Sequence, residues 1–314
     1  MKITVSVIVT TYNSEKTIDR TLRSILNQQG IGTEFDIELI VADDCSNDGT
    51  VEKIRQYEAK FISTEKNSGG PNKGRNLGLA ISTGDFICIV DHDDEWMPHK
   101  IITQLTYLKK VPIVTCGYTL CDTNENKKSD QVTRSDSQYI YFEKNHTFLT
   151  RLSRDFKEQT AYESGAIYWG GSRNILYEEY SGIVDYDRQL KLYHNRDSIE
   201  VSEPLFYRYE NNKNLSKSAE CWYNDSYISL MAIGQYAARY PKEARHGIRN
   251  IFGKLGRYYY LYKDNMTVAR FFFWKSDLLD WKTIAFILTS FWGSDYVKKR
   301  LNKNTGYQAR KNDE

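Results

Sequence analysis

Three carboxylates close one apolar run: Phe86-Ile87-Cys88-Ile89-Val90 leads straight into Asp91-His92-Asp93-Asp94. Carboxylates crowded this closely repel one another and are expensive to desolvate. A divalent cation relieves both costs, and hard oxygen donors on a short loop suit Mg²⁺ or Mn²⁺. His92 reads as a spacer between them. In an open α/β sheet, ligands bind beyond the C-terminal ends of the strands. The acidic tip is therefore expected to hold a cation next to something anionic, a diphosphate.

Such a tip needs a sheet to carry it. Val5-Ser6-Val7-Ile8-Val9 is a β-branched run ending in the polar turn Thr10-Thr11-Tyr12-Asn13. Ser14 then stands where it could cap a helix bearing Ile18, Leu22, Ile25 and Leu26 at helical spacing. Ile37 to Val41 reads as a second strand and opens into Asp43-Asp44-Cys45-Ser46-Asn47-Asp48-Gly49-Thr50, with a helix through Val51, Ile54 and Tyr57. Phe61-Ile62 is a short third strand, followed by the Gly-rich loop Asn67 to Asn72 and a helix from Gly74 to Ser82. A helix from His99 and a strand at Ile113-Val114-Thr115 come next, and residues 122–137, polar and aperiodic, read as a loop. Strand, polar loop and helix alternate, which predicts an α/β fold with a mostly parallel sheet flanked by helices. From about residue 216 the pattern turns helical and aromatic, so residues 1–215 are expected to form the α/β domain and 216–314 a helical appendage.

Composition narrows the function classes. A chain of 314 residues with 40% hydrophobic and 27% charged residues has the makings of a substantial core. A formal charge of +2 argues against bulk nucleic-acid binding. The five cysteines form no C-x-x-C pair, so neither a disulfide framework nor a zinc site is expected, which fits a reducing cytosol. The first residues lack a signal-peptide layout. The longest apolar run, Trp281 to Gly293, falls short of the roughly 20 residues that cross a bilayer. The 24 tyrosines suit sugar-stacking faces, interfaces or membrane-surface belts.

Four segments resemble the family 2 glycosyltransferases of the GT-A fold: Val5 to Asn13, Val41 to Thr50, Gly74-Arg75-Asn76-Leu77-Gly78, and Asp91-His92-Asp93-Asp94. The resemblance is well marked over residues 3–110 and weaker to 216. It implies an inverting enzyme with a nucleotide-sugar donor and Mn²⁺ or Mg²⁺. Thr10, Tyr12, Asp44, Arg75 and Asp91 would bind the nucleotide: Asp44 the N3–H of uracil or thymine, Tyr12 the base face, Arg75 the base or phosphate, and Asp91 the ribose. Asp93 would hold the metal, with Asp94 able to exchange roles with it. The plainer alternatives are an Asx-turn at Asp43 to Asp48 and an ordinary turn at Gly69-Gly70-Pro71.

Inverting transfer needs a base opposite the leaving nucleotide to take the acceptor hydroxyl's proton. In the family an acidic pair opening a helix supplies it, and Gly182 to Leu190 fits that place, preceded by Trp169-Gly170-Gly171. Asp185 is the expected base, although Val184 stands where the family carries Glu. Asp187 is the alternative base, with an ion pair to Lys191 as its plain role, and Glu163 is a more distant candidate, acceptor-lining or structural. Trp169 and Gly171 are assigned to the acceptor side. Glu203 to Asn212 resembles the stretch that follows the base; Arg208 there would face the diphosphate or make a structural ion pair, and Glu210 replaces the family's histidine.

The Gln-x-x-Arg-Trp signature of processive members is absent, which implies one sugar per encounter. The acceptor expected from the family is a growing surface glycan, free or lipid-linked. From Pro241 onward about fifteen Lys and Arg face about seven Asp and Glu among many aromatics, with Lys298-Lys299-Arg300 near the end. That region suits peripheral contact with an anionic membrane at the inner cell face, or a homodimer contact. A nucleotidyltransferase on a related sheet and a catalytically silent sugar-nucleotide-binding protein are the competing readings.

Overall fold

The computed structural model describes residues 2–123, 126–133, 136–156, 162–210 and 218–292, with 295 and 297. Gly293, Lys298, Lys299, Arg300, Asn211 and Asn212 lie outside the described residues. The chain divides into two compact units, one of Met1–Thr150 with Phe156–Asn214 and one of Arg151–Asp155 with Leu215–Glu314.

The first unit runs β1 (Ile3–Thr11), α1 (Ile18–Leu26), β2 (Phe35–Asp43), α2 (Thr50–Ile54), β3 (Lys60–Ser63), α3 (Pro71–Ile81), β4 (Phe86–Asp91), β5 (Glu95–Trp96) and α4 (Lys100–Leu108). It continues with β6 (Ile113–Asp122), β7 (Lys127–Gln131), β8 (Tyr139–Phe142), α5 (His146–Leu152), β9 (Ile167–Trp169), α6 (Tyr186–Tyr193) and β10 (Ser198–Glu210). The sheet order is β3-β2-β1-β4-β9-β6-β10-β5, with β7 on β6 and β8 on β10. From β3 to β4 every pairing is parallel. These strands are covered on both faces, which is why they read as unbroken apolar runs. Val5, Val7 and Val9 meet Leu22 and Ile25 of α1 on one side, while Ile8, Ile40, Ile87 and Ile89 meet Leu79 of α3 on the other.

Beyond β4 the sheet is mixed. β9 lies antiparallel to both β4 and β6, and β10 runs parallel to β6 but antiparallel to β5 and β8. The stretch 122–137 is not simply a loop, because Lys127–Gln131 pairs with β6 as an antiparallel edge strand. Its charged residues suit a solvated edge, and that composition hid the strand. Two helix starts also differ from the sequence reading. α3 begins at Pro71, inside the expected Gly-rich loop, because proline is preorganised for the first helical position. α1 begins only at Ile18, so the Ser14 hydroxyl binds within the preceding turn, to Thr11 and Tyr12, and caps nothing.

The register levels the functional rim: Thr11 lies opposite Asp43, and Thr10 opposite Asp91. Helix α3 approaches this sheet unusually closely. A Cβ on Gly78 would fall 2.4 Å from Cγ2 of the fully buried Ile8, so only glycine lets the helix seat there.

The second unit holds α7 (Ala219–Gly234), α8 (Pro241–Leu261), α9 (Met266–Lys275) and α10 (Trp281–Thr289). Among the described residues no helix is long and apolar enough to cross a membrane. Asp225 of α7 joins the short segment Arg151–Asp155 to α8, accepting from Arg154 Nη2 at 2.8 Å and Lys254 Nζ at 2.6 Å. Burial opposes its charge, but the two cations outweigh burial and bring its pKa down to about 2. A folded pKa below the unfolded one, near 4, gives stability that is present above pH 4 and lost as pH falls through 2. Asp225→Asn should therefore cost roughly 2 kcal/mol at neutral pH, and denaturant midpoints taken from pH 6 to pH 2 should converge with those of the parent only at the acid end.

Candidate active site

The acidic tip is shaped by α1. Thr21 Oγ1 lies 2.8 Å from the carbonyl of His92 and 2.7 Å from that of Asp94. Arg20 Nη2 donates to the carbonyl of Asp93 at 2.8 Å, and its guanidinium stacks 3.7 Å over the ring of Tyr209. Thr17 Oγ1 meets His92 Nδ1 at 3.1 Å. Ser164, in a buried 3-10 turn at Glu163–Gly165, accepts from the backbone N–H of Asp91 at 3.2 Å and bonds the side chain of Asp94.

The three carboxylates titrate apart. Burial works against ionising Asp91, yet the Arg75 guanidinium, donating at 2.8 Å, holds its carboxyl below the usual range. Burial pushes Asp93 up; His92 offsets part of this and the charge of Asp91 adds to it. Asp94 is pushed well above the carboxylate range by burial and then by the charges of Asp91 and Asp93. Arg208 lowers all three from across the sheet, where β10 pairs with β5 just after the tip. Among the described residues, no three His, Cys, Asp or Glu side chains already converge on one cation position. The donor set itself, hard oxygens that resist joint ionisation, suits a divalent cation.

Helix α3 explains the Gly74-Arg75-Asn76-Leu77-Gly78 motif. Its glycines face Thr10, Ala42 and Ile8, so the helix lies flat on β1 and β2. Arg75 emerges buried beneath Asp91, bonded also to Asn72 Oδ1 at 3.3 Å and 5.0 Å over the ring of Tyr177. Asn72 and Asn76 grip the next loop: Asn72 Nδ2 donates to the carbonyls of Glu178 and Val184, and Asn76 exchanges bonds with the backbone of Tyr177. Gly70 fits the same purpose, since a Cβ there would lie 2.3 Å from the Gly182 carbonyl oxygen. The Gly-rich segment is thus a docking turn for the loop that leads to Asp185.

Asp185 caps α6 by position, but its carboxylate accepts from Gln189 Nε2 at 2.9 Å and leaves the helix N–H groups alone. Its charge acts on Arg75, as does that of Asp91, so one guanidinium links the two. Val184, where Glu was expected, is packed inward. Asp187 makes the plain ion pair to Lys191 at 2.6 Å. On the other flank, the Asp43 carboxylate accepts from Ser46 N at 2.9 Å and Ser46 Oγ at 2.5 Å, while buried Asp44 accepts from Thr64 Oγ1 at 2.7 Å and Ser68 N at 2.9 Å. Tyr12 is exposed at the end of β1. Arg208 pairs with Glu210 at 3.1 Å and stacks 4.5 Å over Tyr162.

The two residues assigned to the acceptor side lie level with the start of β4. Trp169 lies opposite Phe86, the first residue of β4, and Gly171 follows it. Asp91 is five residues along that strand, about 17 Å away. Because β9 runs antiparallel to β4, the chain meets the acidic tip at Ser164 and runs from there toward the start of β4 at Trp169. Trp169 stacks under Arg196 at 4.1 Å. The residues missed in the sequence carry no motif of their own: Arg20, Thr21 and Ser164 bond backbone groups of the tip, and Thr17 meets the His92 ring.

Strand-end carboxylates, a buried arginine and an aspartate at the start of α6 are thus brought together on a mostly parallel α/β sheet of the GT-A kind. The family profile of glycosyl transferase family 2 matches residues 6–176, and the chain belongs to that family. The Staphylococcus aureus poly(ribitol-phosphate) beta-N-acetylglucosaminyltransferase TarS is 46% identical over 93 residues, 28% of this chain and 16% of that protein. The Escherichia coli UDP-Glc:alpha-D-GlcNAc-diphosphoundecaprenol beta-1,3-glucosyltransferase WfgD is 34% identical over 108 residues, 34% of this chain and 41% of its own. The chain thus matches less than half the length of each. A crystal structure of TarS residues 1–349 in complex with UDP-GlcNAc superposes with a TM-score of 0.64 at 19% identity, covering 99% of this chain and 93% of that one.

Thr21→Val, nearly isosteric, removes the hydroxyl shared by two buried carbonyls. It should cost about 1–3 kcal/mol in denaturant unfolding, with the far-ultraviolet dichroism of the folded protein unchanged.

Proposed function

We propose that this chain is an inverting, non-processive glycosyltransferase that moves one hexose or N-acetylhexosamine from a UDP-sugar to a surface glycan, free or lipid-linked. The observation that carries this reading is the acidic tip itself, level with Thr10 and Asp43 and flanked by Arg75 and Arg208. The UDP-sugar in the TarS complex, and the UDP-glucose and lipid diphosphate in the name of WfgD, support the donor and acceptor classes. Asp44 would accept the base N3–H, Tyr12 lie against the base beside Thr10, and Asp91, oriented by Arg75, hold the ribose. Asp185 would take the proton from the acceptor hydroxyl as it attacks. Asp93, exchanging with Asp94, would hold Mn²⁺ or Mg²⁺, which when bound offsets charge on the departing diphosphate.

Thermal-shift screening of UDP-, dTDP- and GDP-sugars with Mn²⁺ should rank uridine donors first. Asp93→Ala should abolish metal-dependent turnover of the best donor. Asp185→Asn should leave UDP affinity nearly unchanged while transfer falls by roughly 10²–10⁴-fold, the range of a general base. Full activity in either variant would remove the role assigned to that residue.

The second unit supports a location on the inner membrane face. Trp281, Ile284, Leu288 and Phe291 recur on one exposed side of α10 and its end, beside exposed Lys282, and Trp274 and Lys275 stand exposed on α9. Trp281 is 71% and Trp292 82% exposed, an unusual outlay of indole to water. Aromatic rings with lysines among them match an anionic lipid headgroup layer. Phosphatidylglycerol vesicles should sediment the protein and neutral phosphatidylcholine vesicles should not, with salt and Trp281→Ser/Lys282→Glu each weakening the association. A lipid-free dimer disrupted by the same double substitution, without vesicle binding, would instead make this face a homodimer contact.

A further inference from the structure

Beneath the rim lies a cluster of buried charge that neither binding nor proton transfer uses. Arg188 of α6 is 1% exposed; its Nη1 donates to Glu163 Oε1 at 2.9 Å and lies 3.3 Å from the Tyr177 hydroxyl, and its Nε donates to the Ile175 carbonyl at 2.8 Å. Tyr177 donates its hydroxyl to the same Glu163 oxygen, and Tyr168 reaches the other oxygen at 3.2 Å. The guanidinium carbons of Arg75 and Arg188 both lie over the ring of Tyr177, at 5.0 and 4.6 Å.

Each member belongs to a different working part. Glu163 precedes Ser164, which bonds the backbone of Asp91 and the side chain of Asp94. Arg75 holds the Asp91 carboxylate. Arg188 sits three residues into the segment that Asp185 opens, and Tyr177 lies on the loop leading to it. A buried ion pair is a poor way to gain stability, because desolvation consumes most of the Coulomb attraction. Arg188 Nη2 and Arg75 Nε are moreover buried without a hydrogen-bond partner, so the cluster is not optimised for bonding. Its planar groups do fix distances: two like charges against one ring, with Glu163 between α6 and the tip.

We propose that Glu163, Tyr177 and Arg188 are positioning residues that set the placement of Asp185 relative to Asp91, so that base and donor are held in register across the site. The inference rests on the roles given above to Asp91 and Asp185. It assigns Glu163 no proton transfer. A misplacement of about 1 Å in such a site costs on the order of 10²-fold in rate.

The test compares the full chain with Tyr177→Phe, Glu163→Gln and the neutral pair Glu163→Gln/Arg188→Met, with Asp185→Asn in parallel. UDP release is followed with Mn²⁺ from UDP-glucose or UDP-N-acetylglucosamine, whichever turns over faster, and UDP affinity by calorimetry. Neutralising both charges should restore the melting temperature that Glu163→Gln loses, while kcat stays about 10²-fold down and the Kd for UDP stays within about threefold. Tyr177→Phe, which keeps the ring, should fold like the parent and lose about tenfold in kcat. Recovery of kcat together with melting temperature in the double variant, or parental kcat in Tyr177→Phe, would make the cluster merely structural and overturn the proposal. An active Asp185→Asn would instead strike at the base assignment, so the two failures are separable.

Discussion

Electrostatic crowding at the end of β4 is the constraint around which the first unit is arranged. Three carboxylates within four residues cannot all ionise in a partly buried turn without compensation. The chain compensates unevenly. Arg75 answers Asp91 with a direct bond, whereas Arg20 and Thr21 spend their donors on backbone carbonyls of the tip. The shape of the turn is therefore built in, while much of the charge on Asp93 and Asp94 is left for something else to balance. That division is what a binding site requires: geometry prepared in advance and an electrostatic deficit reserved for the ligand.

Helix α3 performs both tasks from one short sequence. Glycines on its sheet-facing side allow contact with β1 and β2, and the residues between them, with Asn72, reach opposite targets. Arg75 turns toward Asp91, and Asn72 and Asn76 hold the loop that ends at Asp185. A larger residue at position 78 would lift the helix from Ile8 and so move the support of Asp91 as well as the loop docked by Asn72. Packing and site geometry are here the same interaction.

The sequence was most informative where one physical rule acted alone. Strands buried on both faces announce themselves as apolar runs, and strand-end carboxylates stand out from them, so β1, β2, β4 and the Asp91 tip could be read directly. Asp185 was singled out by resemblance to the family's helix-opening acidic pair, and it does stand at the start of α6. Chain direction was not legible: nothing in Ile167–Trp169 reveals that β9 runs antiparallel to β4, which sets Trp169 opposite Phe86 rather than level with Asp91. Nor could the polar residues that bond the tip's backbone be recognised, since Thr21 and Ser164 resemble any other buried hydroxyl. The edge strand Lys127–Gln131 escaped because solvation, not burial, governs its composition, and the inclusion of Arg151–Asp155 in the second unit depends on Asp225, more than 70 residues away.

Glu210 bears on how the deficit at the tip is met. Were Arg208 free, its charge would act fully on Asp91, Asp93 and Asp94. Instead it pairs with Glu210 at 3.1 Å and lies over the Tyr162 ring, which fixes the guanidinium and cancels part of its charge. A second carboxylate, Glu95, takes the Tyr209 hydroxyl at 2.7 Å near Arg20. Arg75 answers Asp91 directly, and the other two arginines next to the tip are matched by acids outside it: Arg208 by Glu210, and Arg20 by Glu95. Arg20 and Arg208 thus hold the walls of the site, and an incoming diphosphate, itself negative, would add to the crowding of carboxylates. In the reading proposed above, a divalent cation held by Asp93, with Asp94 able to exchange with it, would offset that crowding.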